Sequence, residues 1–482
     1  MVDELSKTAQ LAREYDTIVV GAGIAGLAYA HARGAAADVL VLEGSDRPGG
    51  VIVTEQGSTT GDAEADGFHY ECGPEALQDN APETLALLDE LGLQTLPASS
   101  SAGQRWILLA RDHLVPVPTG PKALLTSKLL TLSAKWRLAK GLWSHSPGDC
   151  DGSLAHFIRS RFGSELLERL VDPAISGIYA GDPELISLRA AFPTLYDLAS
   201  EHGSLLAGLR AKGRARRAAV KEGSAPAPRK GPPSLLSVAG GLESLPRAIA
   251  SGLGERLVLK CRVAAVTREG QGWLVQSADG TEYRARQVVL ALPVAQAAAV
   301  LSSSIPEISE ACASQHSESV INLVHLWRRE DIAHPLDGFG YLVPSKLGVS
   351  HLGTLFSSSI QPGRCPSDQV LLRTLMGGAR RPELLQLDHE QLLEIVVKDV
   401  GGTLGISSGA RPLFSRTVRW PGVLPRYDLD HPARQATIQG MLAGNPGLEI
   451  IGNHRLGISV NALIASSRLL ARRHREGDQF HA

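Results

Sequence analysis

The sequence predicts an α/β and α+β protein: a Rossmann-like nucleotide-binding domain joined to a mixed-sheet domain and a helical lobe. Three observations predict it. Residues 16–50 give a strand, a glycine-rich turn, a helix and a second strand, in the order of a βαβ unit. Residues 320–380 alternate apolar and polar side chains, as antiparallel strands covering a cavity would. Residues 120–172 carry Leu and Ala at helical spacing.

The βαβ unit opens on Ile18-Val19-Val20, an apolar run suited to a buried parallel strand. Gly21-Ala22-Gly23-Ile24-Ala25-Gly26 follows as G-x-G-x-x-G. Gly21 permits the turn out of the strand, Gly23 lets backbone approach a pyrophosphate, and Gly26 lets the helix pack on the strand. Free N–H groups and the positive dipole end at the helix start favour the phosphates. Alone, such a motif can be an ordinary glycine turn. Here a second strand, Val39–Leu42, ends in Glu43, 17 residues after Gly26, where an acid meets a ribose hydroxyl and disfavours a 2′-phosphate. The chain continues Glu43-Gly44-Ser45-Asp46-Arg47-Pro48-Gly49-Gly50-Val51. Arg47 supplies a second basic group, and the paired glycines an open backbone, near the same pyrophosphate. This stretch resembles the signature of FAD enzymes of the amine oxidase type.

Composition sets the bounds. At 482 residues, more than one lobe is expected. A hydrophobic content of 43% and a net charge of −2 describe a soluble globular protein. Without a basic stripe interleaved with aromatics, no nucleic-acid partner is expected. Five scattered cysteines lack a C-x-x-C, which argues against a metal site or a disulfide framework and fits a reducing cytoplasm. No cysteine follows Cys365, so a C-terminal cysteinyl-flavin link is excluded and the cofactor is expected to be non-covalent. No apolar run is long enough to span a bilayer, and residues 1–14 read as a frayed or helical extension without a signal core.

Along the chain, Gly73-Pro74-Glu75-Ala76 marks an exposed turn after a short strand, and residues 82–92 an amphipathic helix. Arg105 begins a hairpin. Trp136 and Trp143, on segments with Lys128, Lys135 and Lys140, suit either a core helix with solvated lysines or a membrane-facing lobe. Gly177 and Gly181 mark a close backbone approach. Residues 212–234, basic and rich in Pro, Gly and Ala, read as a flexible linker. Strands are expected at 257–266, 272–277, 282–285 and 287–291, with Val263 flanking the adenine. Trp420-Pro421 and Leu424-Pro425 read as a rigid turn, and Gly457-Ile458-Ser459-Val460 as the start of the last helix. The expected division is 14–90, 235–300 and 435–482 for the nucleotide domain, 91–118 and 301–434 for the substrate domain, and 119–211 for the helical lobe.

The blocks SGIYAGDPELISLRAAF, AGGLESLPRAI, GFGYLVP, GTLFSSSI, RWPGVLPRY and GNHRLGISV, with GAGIAGL and EGSDRPGG, resemble the protoporphyrinogen oxidase family from about residue 16 to 472. The resemblance implies an amine oxidase-type FAD domain, with FAD contacts on Gly21 to Gly26, Glu43, Gly44, Arg47, Gly50, Val51, Gly73, Pro74, Glu75, Ala76, Val263, Ile458, Ser459 and Val460, and Trp420 near the flavin. It places a substrate propionate on Arg105 and the pyrrole face on Phe339, Leu342, Leu355 and Leu375, with the Gly181 carbonyl facing the macrocycle. Asn461 and Glu75 depart from the family pattern.

The resemblance further implies FAD-dependent oxidation of protoporphyrinogen IX to protoporphyrin IX in three two-electron cycles, with dioxygen as acceptor and hydrogen peroxide as product. No catalytic side chain is expected. Coproporphyrinogen III oxidation is the alternative; an amine oxidase and a non-catalytic flavin- or porphyrin-binding protein are more distant ones. The expected partners are the porphyrinogen, dioxygen, a peripheral membrane surface and a second copy in a homodimer. The expected location is the cytoplasm, on the inner face of the cell membrane.

Overall fold

The computed structural model describes residues 13–60, 67–143, 150, 152–201, 204–222 and 233–479. The N-terminal extension up to residue 12 lies outside them.

Strands β1 (Glu14–Val20) and β2 (Val39–Leu42) are the buried centre of a seven-stranded sheet. On the other side of β1 lies β13 (Glu282–Leu290), parallel, pairing Ile18 with Val288 and Val20 with Leu290. Beyond it runs β19 (Leu448–Ile450), also parallel, while β10 (Leu257–Val258) extends the sheet past β2. β11 (Val263–Glu269) and β12 (Gly272–Ser277) add an antiparallel edge. The two strands expected over 282–291 are one. Its first half pairs with β12 while it runs parallel to β1 throughout, so nothing breaks it at Arg286. Helix α1 (Ile24–Arg33) is nearly all buried, its small face packed with Ile464 and Ala471 of α6 (Val460–Gln479).

Two small sheets lead outwards: β3 (Thr54–Gly57) with β4 (Phe68–Glu71), and β5 (Leu77–Gln78), β9 (Leu235–Val238) and β6 (Thr95–Pro97).

The second seven-stranded sheet is ordered β18 (Phe414–Pro425), β14 (Ser317–Arg328), β17 (Gln369–Gly377), β16 (His351–Leu355), β15 (Gly340–Leu342), β7 (Trp106–Ala110) and β8 (His113–Pro116). It is antiparallel except where β15 meets β7, and so mixed. Leu392, Val396, Val400 and Leu404 of α5 (His389–Leu404) cover one face. Trp420-Pro421 is not a turn. It lies inside β18, which pairs on one side only, so the missing proline N–H leaves no ladder bond unmade, and the register slips beside it.

The helical lobe contains α2 (Leu132–Trp143), α3 (Asp172–Tyr179) and α4 (Leu205–Lys221). A π-helical turn, Leu167–Val171, leads into α3. The flexible linker expected from residue 212 is corrected here: α4 runs unbroken to Lys221, because its Ala and Arg are good helix formers and Ser204 caps it by accepting from the Ala207 N–H. Residues 223–232 of that linker lie outside the described residues.

Candidate functional site

Gly23 is the N-cap of α1, with no capping side chain and no acid in the first turn, so the helix start keeps donors free for an anion. The three glycines differ in what they serve. A Cβ on Gly26 would lie 2.1 Å from the Gly21 carbonyl oxygen, and one on Gly21 2.6 Å from that of Ala291. A Cβ on Gly23 would meet nothing within 4 Å. Gly23 therefore answers to no packing within the chain but to open ground above it. Gly49 bridges to Gly23, and Gly50 stands over its Cα, so the second glycine pair borders the same ground. This cradle fits a pyrophosphate.

Glu43 closes one side. Its carboxylate accepts from the Ala22 N–H (2.6 Å) and from the Ser45 N–H and hydroxyl, fixing it at the lip of the glycine turn. The Lys260–Cys261 backbone bonds to Glu43 and Ser45, and Gly44 faces Arg262, which brings Val263 to the same end of β2. Arg47 folds back instead, donating to the Pro48 and Gly50 carbonyls, so it braces its own loop.

The Gly73 turn is built by crossing chains. A Cβ on Gly73 would fall 1.9 Å from the Val51 oxygen, so only glycine passes there. Asn322 Nδ2 and Trp420 Nε1 both donate to the Cys72 carbonyl at 2.7 Å. Arg373 Nη1 donates to the Glu71 and Gly73 carbonyls, also at 2.7 Å. After Pro74 and Ala76 the chain enters β5, where Asn461 Nδ2 donates to the Gln78 carbonyl and ties the turn to the start of α6. There Ser459 caps by accepting from Ala462, Val460 packs on the nucleotide core, and Ile458 joins the cluster of Tyr179 and Tyr427.

Pairing register fixes what the sheet face opposite α5 carries, because residues paired across strands point the same way. One row reads Ile107, Leu342, Gly353, Leu375 and Asn322 across five strands. The next holds Leu355 beside Arg373, and a third pairs Val320 with Trp420. Leu342, Leu355 and Leu375 are only partly buried on strands whose other interior residues are buried, which is how side chains lining a void behave. Helix α3 borders this face. Gly177 passes so close that a Cβ would reach Leu342 Cδ2 at 2.5 Å, and Ala180 packs with Leu375 and Trp420. Ala180 takes φ +47° before Gly181, and its carbonyl is held by the Ala379 N–H. At the far end the Arg105 guanidinium stands 5.2 Å over the Phe339 ring. Arg105 stays exposed to solvent, and among the described residues it has no carboxylate partner.

Glu75 belongs to the Gly73 turn. Its side chain turns inward to Arg364 (3.4 Å) and Arg373 (3.1 Å), because two buried guanidiniums require compensation. Glu71 joins Arg364 from the other side, and burial raises its pKa. Sequence reasoning missed Asn322 and Arg373; the signal was a polar residue on the same face as apolar neighbours inside each of the runs VINLVHLW and VLLRTLM, which also hold His325 and Thr374.

The model for flavin containing amine oxidoreductase matches residues 24–459. A chloroplastic protoporphyrinogen oxidase of Nicotiana tabacum is 30% identical, over 94% of this chain and 84% of that one. A coproporphyrinogen III oxidase of Bacillus subtilis (strain 168) is 27% identical, over 92% of this chain and 94% of that one. Among solved structures, a protein from Exiguobacterium sp. 255-15 superposes with a TM-score of 0.76 at 23% identity, covering 96% of this chain and 98% of that one. Cyclohexylamine oxidase from Brevibacterium oxydans IH-35A gives 0.68 at 16% identity, covering 97% and 100%. The glycine cradle, the acid at its lip and the match across residues 24–459 agree: the chain belongs to the flavin containing amine oxidoreductase family.

Proposed function

We propose that the chain oxidises protoporphyrinogen IX to protoporphyrin IX, with non-covalent FAD as cofactor and dioxygen as acceptor, releasing hydrogen peroxide. The observation that carries this reading is the sheet face: partly buried Leu342, Leu355 and Leu375 on one side of the sheet, with Arg105 beyond them on Phe339. A flat apolar macrocycle with a propionate at its edge matches such a surface. Arg105 takes the carboxylate through its planar fork, the leucines exclude water from the pyrrole face, and the Gly181 carbonyl faces the ring. Bound FAD accepts two electrons per cycle, so six electrons require three cycles. The name of the tobacco relative supports the same substrate.

The experiment is stoichiometric. Air-saturated holoprotein given protoporphyrinogen IX should consume three dioxygen molecules per porphyrin formed, by oxygen electrode against fluorescence. Porphyrin formation without matching oxygen uptake would remove dioxygen as acceptor; no enzyme-dependent porphyrin would remove the substrate.

Coproporphyrinogen III is the second reading, favoured by the names of relatives from Bacillus subtilis and Propionibacterium freudenreichii. Against it, Arg373, the guanidinium beside Leu375, is spent on Glu75 and two carbonyls, which leaves less positive charge for a tetracarboxylate.

We also propose that the protein is cytoplasmic and rests on the inner face of the cell membrane through its helical lobe. Leu132, Trp136 and Trp143 are 83%, 69% and 63% exposed and fall on one stripe of α2. Beside them α4 carries Arg210, Lys212, Arg214, Arg216, Arg217 and Lys221 and no acid, with Arg210 stacked 5.5 Å over Trp143. Apolar rings beside a cationic helix suit an anionic bilayer surface. No helix among the described residues is long and apolar enough to cross a membrane. Phosphatidylglycerol vesicles should pellet the protein at low salt, and Trp136→Ala should release it; equal pelleting of both would contradict the surface.

A further inference from the structure

We infer that Arg373 is a positioning residue for the bound flavin, holding from the substrate face the backbone turn that borders the cofactor. The inference rests on the flavin reading above.

The geometry is specific. One guanidinium nitrogen, Nη1, serves two carbonyls two residues apart, those of Glu71 and Gly73, each at 2.7 Å. Drawing both oxygens to one donor curves the chain at Cys72. The opposite side is closed by Val51, whose oxygen leaves no room for a Cβ on Gly73. The turn is thus pinned between main chain and guanidinium. Asn322 and Trp420 hold the intervening Cys72 carbonyl, so three adjacent strands, β14, β17 and β18, grip three consecutive carbonyls. Glu75 Oε2 at 3.1 Å and Arg364 beyond it hold the guanidinium in place.

Arg373 also belongs to the substrate face. It pairs with Leu355 across the sheet and lies two residues from Leu375 on the same strand face. A ring packed on these two leucines therefore rests beside the group that shapes the flavin border. Lysine at this position keeps the charge, but it has neither the planar fork nor the reach to serve two carbonyls and a carboxylate together.

The test uses purified holoprotein and two variants, Arg373→Lys and Glu75→Gln. Arg373→Lys should retain FAD about tenfold less tightly, alter the shape of the visible flavin absorption band and lower kcat about 10- to 100-fold, with KM for the porphyrinogen within about twofold of wild type. Glu75→Gln leaves both carbonyl contacts of Arg373 but removes the carboxylate that steadies it, so it should change the flavin spectrum and affinity in the same direction and by less than Arg373→Lys. An unchanged spectrum and FAD affinity in Arg373→Lys would overturn the inference, as would equal changes in both variants, which would mark the ion pair as structural support only. If Arg373→Lys does not fold, Asn322→Leu removes a neighbouring donor of the same grip and should alter the band in the same direction; an unaltered band there overturns the inference too. Wild-type protein that takes up no FAD would overturn the flavin reading itself and this inference with it.

Discussion

Gly26 passes directly beneath the Gly21 carbonyl, so close that a Cβ would lie 2.1 Å from its oxygen, whereas a Cβ on Gly23 between them would meet nothing within 4 Å. Folding requires glycine at the first position and leaves the second free to serve a ligand. Gly23→Val should therefore fold but purify colourless. Its melting temperature should match wild-type apoprotein and should not rise with added FAD, because stabilisation by a ligand requires binding. A yellow Gly23→Val protein would contradict the cradle.

Arg105 has no carboxylate partner among the described residues and is stacked on Phe339, so its removal leaves no buried acid behind. Arg105→Ala should leave FAD bound and raise KM for a propionate-bearing porphyrinogen about 10- to 100-fold, the loss of a charge-assisted hydrogen bond of about 1.5–3 kcal/mol. Steady-state kinetics decide it, and an unchanged KM would take Arg105 out of the site.

The βαβ unit was legible because strand period, glycine spacing and terminal acid sit within 35 residues of one another and need no tertiary information. The leucines expected against a substrate came from the resemblance alone, and the register puts Leu342, Leu355 and Leu375 on one sheet face. What was not legible depends on distant neighbours. Trp420-Pro421 reads locally as a turn and becomes a strand only because β18 is an edge. The helical stretch to Lys221 was obscured by the Pro- and Gly-rich residues that follow it. Glu75 sits in a turn that reads as exposed, and two arginines nearly 300 residues away draw it inside.

Trp420 shares the Cys72 carbonyl with Asn322, so deleting the indole N–H leaves that carbonyl still bonded. Trp420→Phe should cost only about 0.5–1.5 kcal/mol in urea unfolding of the apoprotein. A loss above about 3 kcal/mol would mean that Asn322 does not satisfy the carbonyl alone.

His325 and His351 are buried in the second sheet, and burial lowers their pKa values to about 3 and about 4. Both stay neutral in the folded protein where the unfolded chain titrates near pH 6.5. Their contribution is complete above that pH and is lost as pH falls toward 4, at about 1.4 kcal/mol per histidine per unit. Urea midpoints should drop steadily from pH 7 to pH 5, and less steeply in His325→Gln. A flat profile would contradict the burial of neutral imidazoles.

Porphyrin fluorescence on mixing holoprotein in air with protoporphyrinogen IX and, separately, with coproporphyrinogen III decides whether the proposed reaction occurs. Emission should be faster from protoporphyrinogen IX. Faster emission from coproporphyrinogen III, or none from either with FAD bound, would contradict the proposal.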